Sequence, residues 1–441
     1  IAEHHAFVGH RLSRAARLSA EAVEPRATAA LAETFASVIA PLLVAFVEHV
    51  IDDCRARGID TLAFLARDGQ LPMRIAQRLI DARGLPLRTS YVYGSRHALH
   101  LPGYTTIDQA ESWLLEDTTY LTLADIAARG ELPSELVEEA ARRHGYHGLH
   151  DDIPRDRRGG LRAVLREPSI TSALQRQADA KWVDCHDYYA GVGMTPGATV
   201  ARIDVGWTGR MQGSLRAILD RAGGPPVKLV GHYLCLVSKS VTSPHDEVLG
   251  YLHDPDRDAA PCPFLEYRAL VESTLLADHA TTTGYARAGD GRVGPVLGAA
   301  QPQSEAIATQ QQAVVLHFVD LMLRLERARG KALRWPKTVV GEHLRWMVEL
   351  PTPGDAEAFA GMTHFEGQGD SRHSPLLVKL PFGPRLLRWR ALGLWPEGTY
   401  RLSGAGRLLL AMKGARRVRG LLHQARSRSR GDRARGAARS R

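Results

Sequence analysis

The chain has 441 residues, 44% of them apolar and 24% charged, with a formal net charge of +9. Such proportions are those of soluble globular proteins and exclude a wholly disordered, collagen-like or coiled-coil chain. The charge is lopsided: residues 413–441 hold eleven Lys/Arg and one acid, Asp432, for a net +10, while the remainder carries a net −1.

Residues 1–57 read as an N-terminal helical segment. Its first 30 residues contain charges and histidines but no apolar signal core. The longest apolar stretch, residues 35–47, has thirteen residues. A membrane span needs about 20, so a buried helix is expected, kinked or broken at Pro41. Residues 58–104 form the first half of an α/β domain. "DTLAFLARDGQLPMRIAQRLIDARG" is a strand, a Gly-containing turn and a helix, with Pro72 suited to its first turn and Gly84 to its stop. "LRTSYVYGSRHAL" is a second strand, which makes a β-α-β unit with parallel strands.

Residues 105–193 read as a helical insertion, with Thr122 and Asp125 forming a capping box. Residues 194–300 are the second half of the α/β domain. "ATVARIDVGWTGRMQGSLRAILDRAGG" repeats the strand, Gly-rich turn and helix, and "VKLVGHYLCLVS" is a further strand. Residues 241–300 read as loop-rich, with one helical stretch near 266–277. Residues 301–410 are a helical C-terminal part, interrupted by Pro351, Pro353, Pro381 and Pro396. Residues 411–441 form a basic tail with too few apolar groups to fold alone. The predicted class is α/β: a three-layer, mainly parallel sheet with a helical insertion, a helical C-terminal part and a basic disordered tail.

Two turns follow apolar strands and open helices. One holds Arg67, Asp68, Gly69 and Gln70; the other runs from Asp204 through Gly206, Thr208 and Gly209 to Arg210. Helix starts offer free N–H groups to phosphate, and glycine permits close approach of the backbone. Asp68 and Asp204 are candidate catalytic residues, and Asp204 is also a candidate ligand for Mg²⁺ or sugar hydroxyls. The rival reading is that both aspartates cap their helices. Ser95 and Arg96 close the second strand, and Arg96 suits a bidentate clamp on phosphate. Gly69, Ser95, Gly206, Thr208, Gly209 and Arg210 are candidate phosphate-lining positions. His97 and His100 read as loop residues rather than metal ligands. Residues 253–258, "HDPDRD", read as a polar loop, since Pro255 interrupts the carboxylates. Glu266, Glu272, Asp278 and His279 are candidates to support the site from behind. The four cysteines, Cys54, Cys185, Cys235 and Cys262, form no CxxC pair, which fits a reduced, cytoplasmic protein.

"FLARDGQL", "YVYGSRHAL", "DVGWTGRMQGSL", "TTTGY" and "LWPEGTYRLS" follow one another in this order. Together they resemble the C-terminal region of bacterial predicted hydrolases of the haloacid dehalogenase superfamily, found among surface-polysaccharide and glycosyltransferase genes. The resemblance covers roughly residues 28–410. It implies a phosphatase nucleophile in an upstream domain, with residues 1–30 as the join. A weaker similarity is to type I phosphoribosyltransferases, whose acidic-x-x-Thr-Gly turn Asp204, Thr208 and Gly209 mimic. Ile203 stands where that fingerprint has a second acid.

The expected function is binding of a phosphorylated sugar or nucleotide sugar for hydrolysis or transfer in surface-polysaccharide synthesis. The alternatives are a non-catalytic scaffold docking glycosyltransferases and a phosphoribosyltransferase-like enzyme. A cytoplasmic location is expected, peripheral at the inner membrane if the tail meets an anionic surface. Aromatic residues are absent from position 401 onward, so the tail lacks the stacking platforms of a nucleic-acid binder.

Overall fold

A computed structural model describes residues 13, 14, 17, 28–115, 120–240, 243–365, 373–381, 383–388 and 391–411. The basic tail from residue 412 on and nearly all of residues 1–27 lie outside the described residues.

The protein is α/β, built on five parallel strands: β1 (Thr61–Leu65), β2 (Arg88–Val92), β3 (Thr199–Asp204), β4 (Lys228–Cys235) and β5 (Asp246–His253). Their order is β2-β1-β3-β4-β5. This is a doubly wound order, and the direction of winding reverses between β1 and β3.

Period-two alternation sorts the strand side chains into two cores. Leu62, Phe64, Ala201 and Ile203 enter the larger core with helices α1 (Ala29–Arg57), α2 (Gln70–Arg83), α11 (Pro302–Arg329) and α12 (Lys337–Glu349). Ala63, Val92 and Val200 enter the opposite core with α8 (Pro168–Gly191) and α9 (Arg210–Arg221). Helices therefore cover both faces, which gives three layers. The C-terminal helices share one core with the sheet.

The insertion keeps its own core. Short helices α3 (Arg96–His100), α4 (Ile107–Leu114), α5 (Leu123–Gly130), α6 (Ser134–Arg143) and α7 (Leu161–Leu165) lead into α8, and residues from Leu101 to Ala178 form a separate apolar cluster. The Thr122 and Asp125 capping box is present at α5.

Three local expectations are corrected. Helix α1 does not break at Pro41: residues Phe35–Ile39 form a π turn, in which the Ala40 N–H donates to the Phe35 carbonyl, and the helix continues. The wider turn precedes the residue that cannot donate. Residues 241–300 are not mainly loop. They hold β5 and a hairpin of β6 (Thr282–Arg287) and β7 (Val293–Leu297), and the helix expected over 266–277 shrinks to a 3₁₀ turn at Leu265–Tyr267 followed by α10 (Arg268–Glu272). α1 is the one helix among the described residues long and apolar enough to cross a membrane. It is instead packed into the larger core.

Candidate functional site

The three inner and edge strands β1, β2 and β3 run parallel, so their carboxyl ends share one sheet edge. After β1 the chain turns sharply. The Gly69 N–H donates to the Leu65 carbonyl at 2.8 Å, and a Cβ at Gly69 would lie 2.5 Å from that oxygen. Only glycine fits so close to a strand end. Gly69 is also the N-cap of α2, and no side chain caps that helix.

The second turn has the same construction. A Cβ at Gly206 would lie 2.5 Å from the Cys235 carbonyl. Gly209, with φ of 73°, is the N-cap of α9, again without a capping side chain. The Ala66–Arg67 and Gly206–Trp207 peptides are both cis. With glycine at both N-caps and no side-chain cap at either, Asp68 and Asp204 do not cap the helices they precede, contrary to the rival reading of the sequence.

Asp68 is half-buried in the first turn. Burial, then the carboxylates of Glu272 and Asp204, push its carboxyl well above the usual range, while Arg67 and Arg96 pull the other way. Two arginines and two further carboxyls thus lie within electrostatic reach of Asp68 at the reversal of the sheet.

Asp204 sits deeper, at 5% exposure. Its Oδ2 accepts from Arg202 Nη2 at 2.9 Å and its Oδ1 from the Val205 N–H at 2.8 Å. Burial raises this carboxyl, opposed by Arg202 and the Val205 N–H. Arg202 is 1% exposed and also donates to Tyr233 Oη at 2.6 Å. Both Asp204 oxygens are engaged by the protein. Glu272 accepts from Trp207 Nε1 at 2.8 Å, and His364 Nε2 lies 3.4 Å from its other oxygen. Trp207 thus ties the second turn to α10.

Asp278 forms a further support. Burial raises its carboxyl, but hydrogen bonds from Gln70 at 2.6 Å and Arg74 at 2.8 Å outweigh that and hold it below the usual range. This fastens the first turn of α2 to the segment after α10.

The structure places the predicted residues as follows. Asp68, Gly69, Ser95, Arg96, Asp204, Gly206, Thr208, Gly209 and Arg210 all stand at this edge. Ser95 caps α3 by accepting from the Ala98 N–H at 3.0 Å and donates to the Thr282 carbonyl at 2.6 Å. Thr208 Oγ1 accepts from Arg210 Nε at 3.2 Å, and Arg210 Nη1 donates to the Ser112 carbonyl at 2.6 Å in the insertion.

His100 is buried against Ser214 Oγ at 2.8 Å and stacked on Trp113, and His97 pairs with Glu131. Glu266 is exposed. The 253–258 carboxylates serve local structure: Asp254 accepts from the Gly250 N–H and pairs with Lys239, which also reaches Asp256, and Asp258 accepts from the Asp254 N–H. Arg202 was not among the sequence candidates. Its one signal is a lone charge two residues before Asp204 in an apolar strand, a spacing that puts both on one face.

Among the described residues, no group of three or more His, Cys, Asp or Glu side chains is placed to hold a metal ion. No protein-family model matches the chain, and no curated protein matches it either.

Proposed function

We propose that the carboxyl edge of the sheet, at the β1/β3 reversal, binds a phosphorylated sugar or nucleotide sugar and acts on it by hydrolysis or group transfer. The observation that carries this reading is the raised Asp68 carboxyl, set with Glu272, Arg67 and Arg96 beside two helix starts that no side chain caps. Open α/β sheets bind ligands at this reversal. The helix starts and the arginines suit phosphate oxygens. A carboxyl raised well above its usual range suits general acid–base work on an oxygen leaving group. Asp204, engaged by Arg202 and Val205, acts as a positioning residue for the second turn.

The motif resemblance supplies the setting, bacterial surface-polysaccharide synthesis, with glycosyltransferases as neighbours. Residues 413–441 would hold the protein peripherally on an anionic cytoplasmic membrane surface. One observation favours a second reading, a phosphoribosyltransferase-like enzyme: two uncapped helix starts flank the reversal, which suits two separated anionic groups such as a diphosphate and a sugar phosphate. A thermal-shift panel of sugar phosphates, nucleotide sugars and phosphoribosyl diphosphate tests all of this. A ligand at 100 times its Kd adds about 2.7 kcal/mol of stability. No shift with any of them at millimolar concentration rejects the binding site and favours the docking scaffold.

A further inference from the structure

An aromatic wall stands beside the first turn. Tyr91, Tyr93 and His279 form a three-ring cluster: Tyr91–Tyr93 centroids are 5.1 Å apart, Tyr93–His279 5.2 Å and Tyr91–His279 5.6 Å. Tyr91 Oη shares a 2.7 Å hydrogen bond with His279 Nε2 and lies 3.5 Å from the Arg67 carbonyl, on the residue before Asp68. All three residues are half-buried.

Tyr93 is held through its backbone. Its N–H donates to Tyr188 Oη at 2.9 Å, and its carbonyl lies 2.9 Å from Tyr285 Oη and 3.2 Å from Tyr189 Oη. These three tyrosines pack on one another, with Tyr188 and Tyr285 stacked at 4.6 Å. The next residue, Gly94, has no room for a Cβ, which would lie 2.7 Å from Tyr189 Oη. Three hydroxyls thus fix one residue three positions before Arg96. The Tyr93 ring itself serves none of these bonds, and among the described residues nothing in the protein hydrogen-bonds its hydroxyl. Packing of the β6–β7 hairpin accounts for Tyr188, Tyr189 and Tyr285. It does not account for the half-buried Tyr93 ring against His279 and Tyr91, the latter in contact with the Arg67 carbonyl.

We propose that Tyr93 and His279 form a stacking wall for a nucleobase, so that the ligand is a nucleoside-diphosphate sugar rather than a free sugar phosphate. This rests on the phosphate-site reading above, with the diphosphate at the two turns and the base against Tyr93. Bases stack on aromatic side chains with little regard to identity, so the wall selects for the presence of a base rather than for one base.

The test is calorimetric titration of the wild type, Tyr93→Leu, Tyr93→Phe and His279→Leu with UDP-glucose, ADP-glucose and glucose 1-phosphate. The wild type should bind at least one nucleotide sugar more tightly than glucose 1-phosphate. Tyr93→Leu should weaken that nucleotide sugar about 5- to 150-fold, the range of one lost stack, and leave glucose 1-phosphate unchanged. Tyr93→Phe should retain wild-type affinity, because the ring stays and the backbone clamp is untouched. His279→Leu should weaken the nucleotide sugar alone, and it supplies the same readout if Tyr93→Leu does not fold. Equal losses for all ligands, or no loss, overturns the stacking wall. A wild type that binds neither nucleotide sugar more tightly than glucose 1-phosphate also overturns it while leaving the phosphate site standing. Binding of none rejects both.

Discussion

Replacing Asp204 with Asn separates a positioning role from direct contact with ligand. The side chain keeps its size and one acceptor, which still serves the Val205 N–H. Its new amide then faces Arg202 Nη2 across the 2.9 Å now spanned by a charge-assisted hydrogen bond, so donor meets donor. Arg202, at 1% exposure, is left with Tyr233 Oη but without its buried counter-charge. Breaking one partner of a buried ion pair costs about 3–5 kcal/mol, whereas removing both can be nearly neutral. Asp204→Asn should therefore lose several kcal/mol in urea unfolding, and Arg202→Met combined with Asp204→Asn should recover part of it. The same proteins are titrated with the ligand found in the panel. An Asp204→Asn protein within about 1 kcal/mol of wild type that no longer binds would refute the reasoning and put Asp204 in contact with the ligand.

Four further outcomes are expected. Asp68 holds its proton more tightly folded than unfolded, because of burial and the nearby Glu272 and Asp204 carboxylates. Stability from this group is present at low pH and is lost as pH rises through the folded value. Asp68→Asn should remove that decline, be no less stable than wild type at neutral pH, and lose the ligand response, as read by urea unfolding across pH and by thermal shift. Glu48, whose two oxygens face Arg83 and Arg334, is pushed up to about 7 by burial. Its contribution should fall by up to about 3 kcal/mol between pH 4.5 and 8, and Glu48→Gln should flatten that slope. Gly69→Ala should cost about 1–3 kcal/mol in urea unfolding, because the added Cβ meets Leu65 and Phe64 backbone atoms at 2.5–2.9 Å. In vesicle co-sedimentation the full chain should bind anionic membranes more than a chain ending at Gly406, and added salt should weaken it. Equal binding by the two chains would contradict an anchoring tail.

Much of this architecture is legible locally. Both strand-turn-helix units around Asp68 and Asp204 combine a short apolar run, a glycine that approaches a strand end, and a periodic helix, and each signal points the same way. The capping box at Thr122 is equally local. β5 is harder to see: Asp246, Glu247 and Gly250 are poor strand formers, and pairing with β4 overrides that preference. The β6–β7 hairpin carries two glycines, Gly284 and Gly294, in its strands, which weaken the pattern. For the site, strand ends told where Asp68, Arg96 and Asp204 would meet, because parallel strands share an edge. Glu272 and His279 arrive from more than 60 residues beyond Asp204. No spacing rule links them to the turns, so only the folded chain shows that Trp207 reaches Glu272 and Tyr91 reaches His279.

The most direct measurement is a crystal structure of the protein soaked with the tightest ligand from the thermal-shift panel. The account predicts phosphate density at the β1/β3 reversal, between the starts of α2 and α9 and within hydrogen-bond reach of Arg67 or Arg96. Ligand density elsewhere on the molecule, with this edge of the sheet unchanged, would contradict it.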